Sequence, residues 1–335
     1  MSEFAAEVRK IGRVWEHPNA DALSLASVED LDYQFVIGLD NYKAGDEVVY
    51  IPVDSLLPQP LVEFLGLTGR LSGKEKNRVK TVKLRQEISQ GLVESVTRLQ
   101  SGGFLPATIG SDVTAELGIE KYEPPPGAMK HGNGSSLPDM VEIYDIQSCQ
   151  RYNRVVEDLM DHEVYITEKM EGTHISITKR RDSDTAIVSS RRHARDEGDY
   201  VAAAQAAGLQ DIAEEARAAL GAQQVTLRGE VIGPGVQGNI YRLKDRKVLL
   251  FDIKSDGHYI VPRVFYGLLR GHSALLAPLL HRGTLRAWLD GRTPAEASNG
   301  ISKLADVLRE GVVIRSASER VILKQRSPEY LAKEK

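Results

Sequence analysis

Among 335 residues there is one cysteine, Cys149, so neither an internal disulfide nor a thiolate zinc site can form within the chain. A reducing compartment is expected. No apolar run approaches the roughly 18 residues that a membrane span needs, and the opening MSEFAAEVRK lacks the apolar centre of a secretion signal. A soluble, cytoplasmic-type chain without a membrane partner is therefore expected, and no motif suggests an obligate protein partner. An excess of positive charge is also missing. Lys and Arg number 43 against 47 Asp and Glu, a net charge of −4, so any basic footprint for nucleic acid must be local. The eight histidines include no H-x-x-x-H spacing, which argues against zinc and leaves His174 and His193 as structural residues. What remains is ordinary globular material, 41% hydrophobic and 27% charged, enough for two cores at about 150 residues per domain.

The division between them is written in composition. From Pro124 to Pro138 the segment PPPGAMKHGNGSSLP holds four Pro, three Gly and two Ser, residues poorly suited to helix or strand interiors. This predicts a first domain over 1–122, a linker over 123–139 and a second domain over 140–335. Before the linker, β-branched runs at 34–38, 47–51, 79–84 and 91–96, bounded by turn residues, predict a small β-barrel. After it, strand-like runs (164–167, 175–178, 186–190, 225–233, 248–254, 312–315 and 321–326) alternate with helical stretches, which predicts an α+β domain. The clearest helical stretch is Val201 to Leu220, Ala-rich and stopped by Gly221. Thr293-Pro-Ala-Glu296 reads as a capping box, and Ile301 to Arg309 continues with helical apolar spacing.

Within the first half, Gly12-Arg-Val-Trp-Glu-His-Pro-Asn-Ala-Asp21 followed by strands resembles the opening of OB-fold barrels of the tRNA-binding-domain type. Arg70 to Arg85 then carries seven bases against the single acid Glu75. A phosphate backbone could lie there, with Lys76, Arg78, Lys80 and Lys83 as its contacts, or the run could be a solvated loop.

Chemistry concentrates in the second half. In Thr167-Glu-Lys-Met-Glu-Gly-Thr-His174 a lysine, Lys169, ends one apolar run just before the next begins, and Gly172 allows close approach of a nucleotide or backbone. K-x-x-G alone recurs by chance. Here it is joined by Ser189-Ser-Arg-Arg-His193, Leu227-Arg-Gly-Glu-Val-Ile-Gly233, Leu249-Leu-Phe-Asp-Ile253, Glu310-Gly-Val-Val-Ile-Arg315 and Ile322-Leu-Lys-Gln-Arg326. With strand period two, Ile322, Lys324 and Arg326 share one face, and so do Thr226, Arg228 and Glu230, so charge converges over a sheet. Charged faces on several strands imply a cleft rather than packing. A lysine amine attacks phosphorus only when neutral, and neighbouring cations or a metal lower its pKa.

In order and spacing these segments resemble the motifs of covalent nucleotidyltransferases, the polynucleotide ligases and messenger-RNA capping enzymes. The resemblance implies a DNA-ligase-type, ATP-grasp-like nucleotidyltransferase domain of antiparallel sheets and helices. By position it makes Lys169 the AMP acceptor and Phe251 the ring on adenine. Lys324 and Arg326 fall at the α-phosphate or leaving group, and Glu171, Glu230 and Glu310 at a Mg²⁺ or Mn²⁺ ion or the ribose. Glu168 and Gly172 belong to the adenine pocket, and Arg191, or Arg192 in its place, meets the ribose or a nucleic-acid end. Arg151 or Arg154 would reach the terminal phosphates of ATP. Nine residues follow Arg326, so the trailing OB domain of DNA ligases is expected to be missing. A leading barrel instead resembles the Deinococcus-type nick-sealing RNA ligases, which implies ATP-dependent joining of a 5′-phosphate to a 3′-hydroxyl in a nicked RNA duplex. Two alternatives share the scaffold: a GTP-dependent capping-type guanylyltransferase and a non-catalytic nucleic-acid-binding protein.

Overall fold

The computed structural model describes residues 4–123, 129–130 and 132–333. Pro124, Pro125, Pro126, Gly127, Ala128 and His131 of the expected linker lie outside the described residues. The chain packs into two compact units, Met1–Pro125 with Gln147–Glu157 and Pro328–Lys335, and Pro126–Ile146 with Asp158–Ser327. The sequence reading places 147–157 and 328–335 with the second domain, whereas they pack within the first unit. Ion pairs and hydrogen bonds hold the earlier segment there: Arg151 to Glu7 at 2.9 Å, Arg154 to Asp30 at 2.8 Å, and Gln150 Nε2 donating to Gln90 Oε1 at 2.9 Å. Both arginines expected at ATP phosphates are thus engaged by carboxylates of this unit. No helix among the described residues is long and apolar enough to cross a membrane.

The first unit is built on an antiparallel sheet in the order Phe35–Gly38, Leu23–Val28, Glu7–Glu16, Glu47–Ile51, Leu92–Ser95. The Gln90 N–H donates to the Gln34 carbonyl at 2.8 Å, so the chain entering the last strand also runs beside the first, and the sheet curls into a nearly closed barrel. Strand Glu47–Ile51 is buried on both faces. Val48 and Tyr50 join Ile11, Ala26 and Phe35 in one core, while Val49 and Ile51 join Leu61 and Leu99 in a second, the period-two alternation of a strand between two apolar layers. His17 to Asp21 turns the chain after the first strand, as its turn residues predict.

In the second unit one antiparallel sheet runs Gly134–Ser135, Ala194–Arg195, Ile187–Ser189, Thr173–Arg180, Gln224–Ile232, Lys247–Ser255, His258–Tyr259. Part of the expected linker is therefore a strand, and Met129 is buried in this unit's core. A second sheet contains, in order, Ile322–Arg326, Gly311–Ser316, Glu163–Lys169 and Leu279–Thr284. The apolar stripe Leu209, Ile212, Ala213, Ala216 of helix Leu209–Leu220 packs with Ile175, Ile177, Val225 and Leu227. The single helix expected from Val201 to Leu220 is two, Asp199–Ala206 and Leu209–Leu220, because Gly208 takes a left-handed φ of 63° between them.

The capping box is present: the Glu296 N–H donates to Thr293 Oγ1 at 3.2 Å, and the Thr293 N–H donates to Glu296 Oε2 at 2.8 Å. Its helix ends at Ser298, and the helical continuation expected over 301–309 is instead irregular. The reason lies in what those groups bond. Ser302 Oγ and the Lys303 N–H both donate to the buried carboxylate of Glu168, and the Ser302 N–H goes to the Val307 carbonyl, so the local donors serve an acid on another strand rather than a helical ladder.

Candidate active site

Register places the site. In the second sheet Lys169 is paired with Gly311, and Gly311 with Arg326, while Val313 is paired with Lys324. Glu310, just before Gly311, therefore arrives beside the lysine, and Lys169 Nζ lies 2.7 Å from Glu310 Oε2. On its other side Glu310 Oε1 lies 3.4 Å from Arg326 Nε. A carboxylate between two cations fixes the position of the amine through charge-assisted contacts.

These groups border a cleft of about 320 Å³. Seven of the residues expected from sequence line it: Glu168, Lys169, Gly172, Arg191, Glu230, Phe251 and Lys324. Glu310 and Arg326 reach it through the lysine ion pair. Gly172 is required by a close approach between strands, since a Cβ there would stand 2.5 Å from Glu230 Cγ and 2.5 Å from the Val231 carbonyl oxygen. Glu230 is half-buried, and burial, with the like charge of Glu310, pushes its carboxyl up to about 8 against the opposing pull of Lys169 and Arg191. Burial likewise raises Glu168 above the usual carboxylate range, although its bonds from Ser302 and Lys303 pull the other way.

Three expected residues stand differently. Glu171 has its N–H on Tyr241 Oη at 2.8 Å and its Oε1 accepting from the Gly238 N–H at 3.1 Å, so its carboxylate is tied to the 237–241 turn. Arg191 lines the cleft and pairs with Asp145 at 3.2 Å, whereas Arg192 is exposed and is not part of the cleft wall. Arg78 is the clearest correction. It is 8% exposed, donates to Asp54 through Nε at 3.1 Å and Nη2 at 2.6 Å, and lies 3.6 Å over the Tyr122 ring. Its guanidinium is a structural clasp and does not face a nucleic acid. Lys76 and Lys83 are exposed, and Lys80 is half-buried.

Among the described residues no group of three or more His, Cys, Asp or Glu side chains could hold a metal directly. The donor set fits a divalent ion that keeps its own waters, with Glu230 and Glu310 as outer-shell acceptors, better than a stripped ion held by three carboxylates.

The cleft also contains residues that sequence reading did not assign. Tyr144 Oη donates to the buried Asp252 at 2.8 Å. Its ring stacks on His174 at 5.7 Å and lies 5.3 Å from Phe251, forming an aromatic wall. Arg228 Nη1 is 3.5 Å from His174 Nε2. A guanidinium only donates, so that nitrogen accepts and Nδ1 carries the proton. Burial and the charges of Arg228 and Arg191 lower His174 to about 3, so the histidine expected to be structural is a neutral part of the cleft lining. Arg315, 6% exposed, donates to Thr167 Oγ1 at 3.2 Å and backs Phe251 at 5.5 Å. One signal pointed to it: a lone cation within the apolar run Gly311-Val-Val-Ile-Arg315. Tyr144 follows the linker without any motif.

A family model described as RNA ligase matches residues 162–333, the stretch that carries Lys169, Glu230, Phe251, Glu310, Lys324 and Arg326. The chain belongs to the RNA ligase family. That family acts on RNA ends, and this member's first unit separately matches an OB-fold domain model over residues 5–96. Solved structures of Naegleria gruberi RNA ligase are similar along their whole length. One mutant with AMP and Mn aligns with a TM-score of 0.82 at 24% identity, covering 98% of each chain. The form with PPi aligns with a TM-score of 0.82 at 24% identity, over 100% of this chain and 99% of that one, and a mutant without ligand aligns at 0.81 and 25% identity, over 98% of each. At these identities the likeness establishes the shared fold. No curated protein sequence matches the chain.

Proposed function

We propose that this family member is an ATP-dependent RNA ligase that adenylates Lys169, passes AMP to a 5′-phosphate and joins it to a 3′-hydroxyl, at breaks held in a duplex as in the Deinococcus-type enzymes. The observation that carries the reading is the Lys169–Glu310 pair beside a cleft that Lys324 and Arg191 also line. Three cations around an anion-sized space suit a triphosphate, and Phe251 with Tyr144 offers ring faces to a base. Related structures that hold AMP, ATP or Mn support the choice of nucleotide and metal.

In chemical terms, Lys169 sheds its proton toward the adjacent carboxylate, and the free amine forms a bond to the α-phosphorus as the bond to pyrophosphate breaks. Lys324 and Arg326 take the charge on the phosphoryl oxygens. A bound Mg²⁺ or Mn²⁺ would neutralise the departing pyrophosphate. The 5′-phosphate oxygen of RNA then displaces the lysine, and the 3′-hydroxyl displaces AMP, each step trading one P–N or P–O bond for another.

Incubation with labelled ATP or GTP tests the reading. A protein-bound label from ATP that survives denaturation and alkali but is released by hot acid, as a P–N bond requires, and that is lost in Lys169→Ala and in excess EDTA, is the expected result. The same variant should still seal RNA that already carries 5′-AMP, because that step needs no lysyl adduct. Label from GTP in place of ATP would indicate a capping-type enzyme, and no label from either would leave a nucleic-acid-binding scaffold.

A further inference from the structure

In the first unit, segment 82–89 is built in a way that packing does not explain. Val82–Leu84 and Glu87–Ser89 pair antiparallel with Val82 opposite Ser89, Lys83 opposite Ile88 and Leu84 opposite Glu87, which leaves Arg85 and Gln86 as a two-residue turn. Both have positive φ, 48° and 76°. A turn of this length needs that conformation at both positions, and Asn-Gly or Gly-Gly supplies it at little cost. Arginine and glutamine do not, so turn stability has been given up to keep two long polar side chains at the tip. The preceding loop, closed by the Ser72–Arg78 bridge, repeats the feature, with the exposed Lys76 at a φ of 54°.

The hairpin's base is fixed. The Val36 N–H donates to Ser89 Oγ at 3.0 Å, Gln34 Nε2 donates to the Ile88 carbonyl at 3.0 Å, and His17 Nε2 donates to the Leu84 carbonyl at 3.1 Å. Helix Pro328–Lys333 packs beside both strands, while the tip and the residues leading to it remain exposed. Lys83, Arg85 and Gln86 are exposed, as are Val82 at 37% and Leu84 at 41%. Alternation along the strand turns Lys83 away from the side shared by Val82 and Leu84, so a rigidly mounted ribbon presents cations on one edge and apolar side chains on the other. A purely solvated loop has no use for the apolar side, and a protein core has no use for the cations.

We propose that this hairpin grips duplex RNA next to the break by lying across the minor groove. It rests on the RNA ligase reading and adds to it the form of the substrate. The minor groove of an A-form helix is wide and shallow and displays riboses with their 2′-hydroxyls between two rows of phosphates. Lys83 and Arg85 meet phosphates, Val82 and Leu84 cover ribose carbons, and Gln86 can both donate to and accept from a 2′-hydroxyl. The minor groove of B-form DNA is only about 6 Å wide, so the ribbon favours RNA.

The test uses the full-length protein and fluorescence anisotropy of a nicked RNA duplex and a DNA duplex of the same sequence, across a salt series. Replacing Arg85→Gly together with Gln86→Gly suits the turn and removes only the side chains. The thermal midpoint is expected to stay or rise, while RNA affinity falls about tenfold and the slope of log affinity against log salt drops by about one. Leu84→Ser is expected to weaken RNA binding without changing that slope. Unchanged RNA affinity in both folded variants would overturn the proposal. DNA bound as tightly as RNA and weakened equally by the substitutions would overturn the assignment to an A-form groove. Labelling of the wild-type protein by ATP is a separate readout, so its absence would count against the ligase reading and leave the binding result to be judged by itself.

Discussion

Lys169 and Glu310 stand 2.7 Å apart, from Nζ to Oε2, although they lie on different strands and far apart in the chain. On the proposed reading, in which Lys169 is the nucleophile, its proton acceptor is already in contact. Glu310→Gln keeps the shape and removes the charge. Self-adenylation in this variant is expected to fall about 100-fold or more, the range of positioned acid–base groups, measured as labelled protein formed per minute at saturating ATP. A wild-type rate in the variant would remove Glu310 from the proton path.

Arg78 supplies a contrast between charge and role. Because its guanidinium bonds Asp54 and stacks on Tyr122, Arg78→Ala should act on stability. Losing two hydrogen bonds to a partly buried acid is expected to cost about 1–3 kcal/mol, seen as a lower denaturation midpoint in urea. The salt dependence of RNA binding should stay as in the wild type. A variant of unaltered stability with a flatter salt dependence would show that the arginine leaves its clasp to meet phosphate.

Acid stability should report on Glu142, which braces the residues behind the aromatic wall. Burial opposes its charge, but hydrogen bonds from Lys254 and Tyr259 and the charge of Arg228 outweigh it and lower its carboxyl from the ordinary 4.5 to about 2. A depressed folded-state value means that the contribution is complete above about pH 4.5 and is lost as pH falls through about 2. The thermal midpoint of Glu142→Gln should therefore lie below that of the wild type at neutral pH, and the gap should close across that window. The side chain is 47% exposed, so solvent screening keeps the difference modest. A gap that widened on acidification would contradict the assignment.

Much of this protein was legible in order along the chain. Runs such as 164–167 and 312–315 are strands because β-branched and apolar residues pack well on a pleated surface between two layers, and the Lys169, Glu230, Phe251 and Lys324 segments each declared themselves as charge or aromatic set against such a run. Proline and glycine content marked 124–138 as a linker, whereas Gly134–Ser135 is a strand and Met129 is buried in the second unit's core. Other features depend on distance in space. The second-half segment 147–157 belongs to the first unit because Arg151 and Arg154 find carboxylates there, and helix Pro328–Lys333 packs against the Val82–Ser89 hairpin of that unit, pairings that no local pattern encodes. The helix expected at 301–309 yields to Glu168, whose buried oxygens claim the donors of Ser302 and Lys303. Arg78 and Lys83 look alike in a basic run, and only the tertiary fold puts Asp54 and Tyr122 against one and solvent around the other. Local propensity and period set which residues form strands and which side they face. Which charges are desolvated, paired or left free is set by strand register across the sheets, because an electrostatic interaction depends on the separation of the groups and on the water between them.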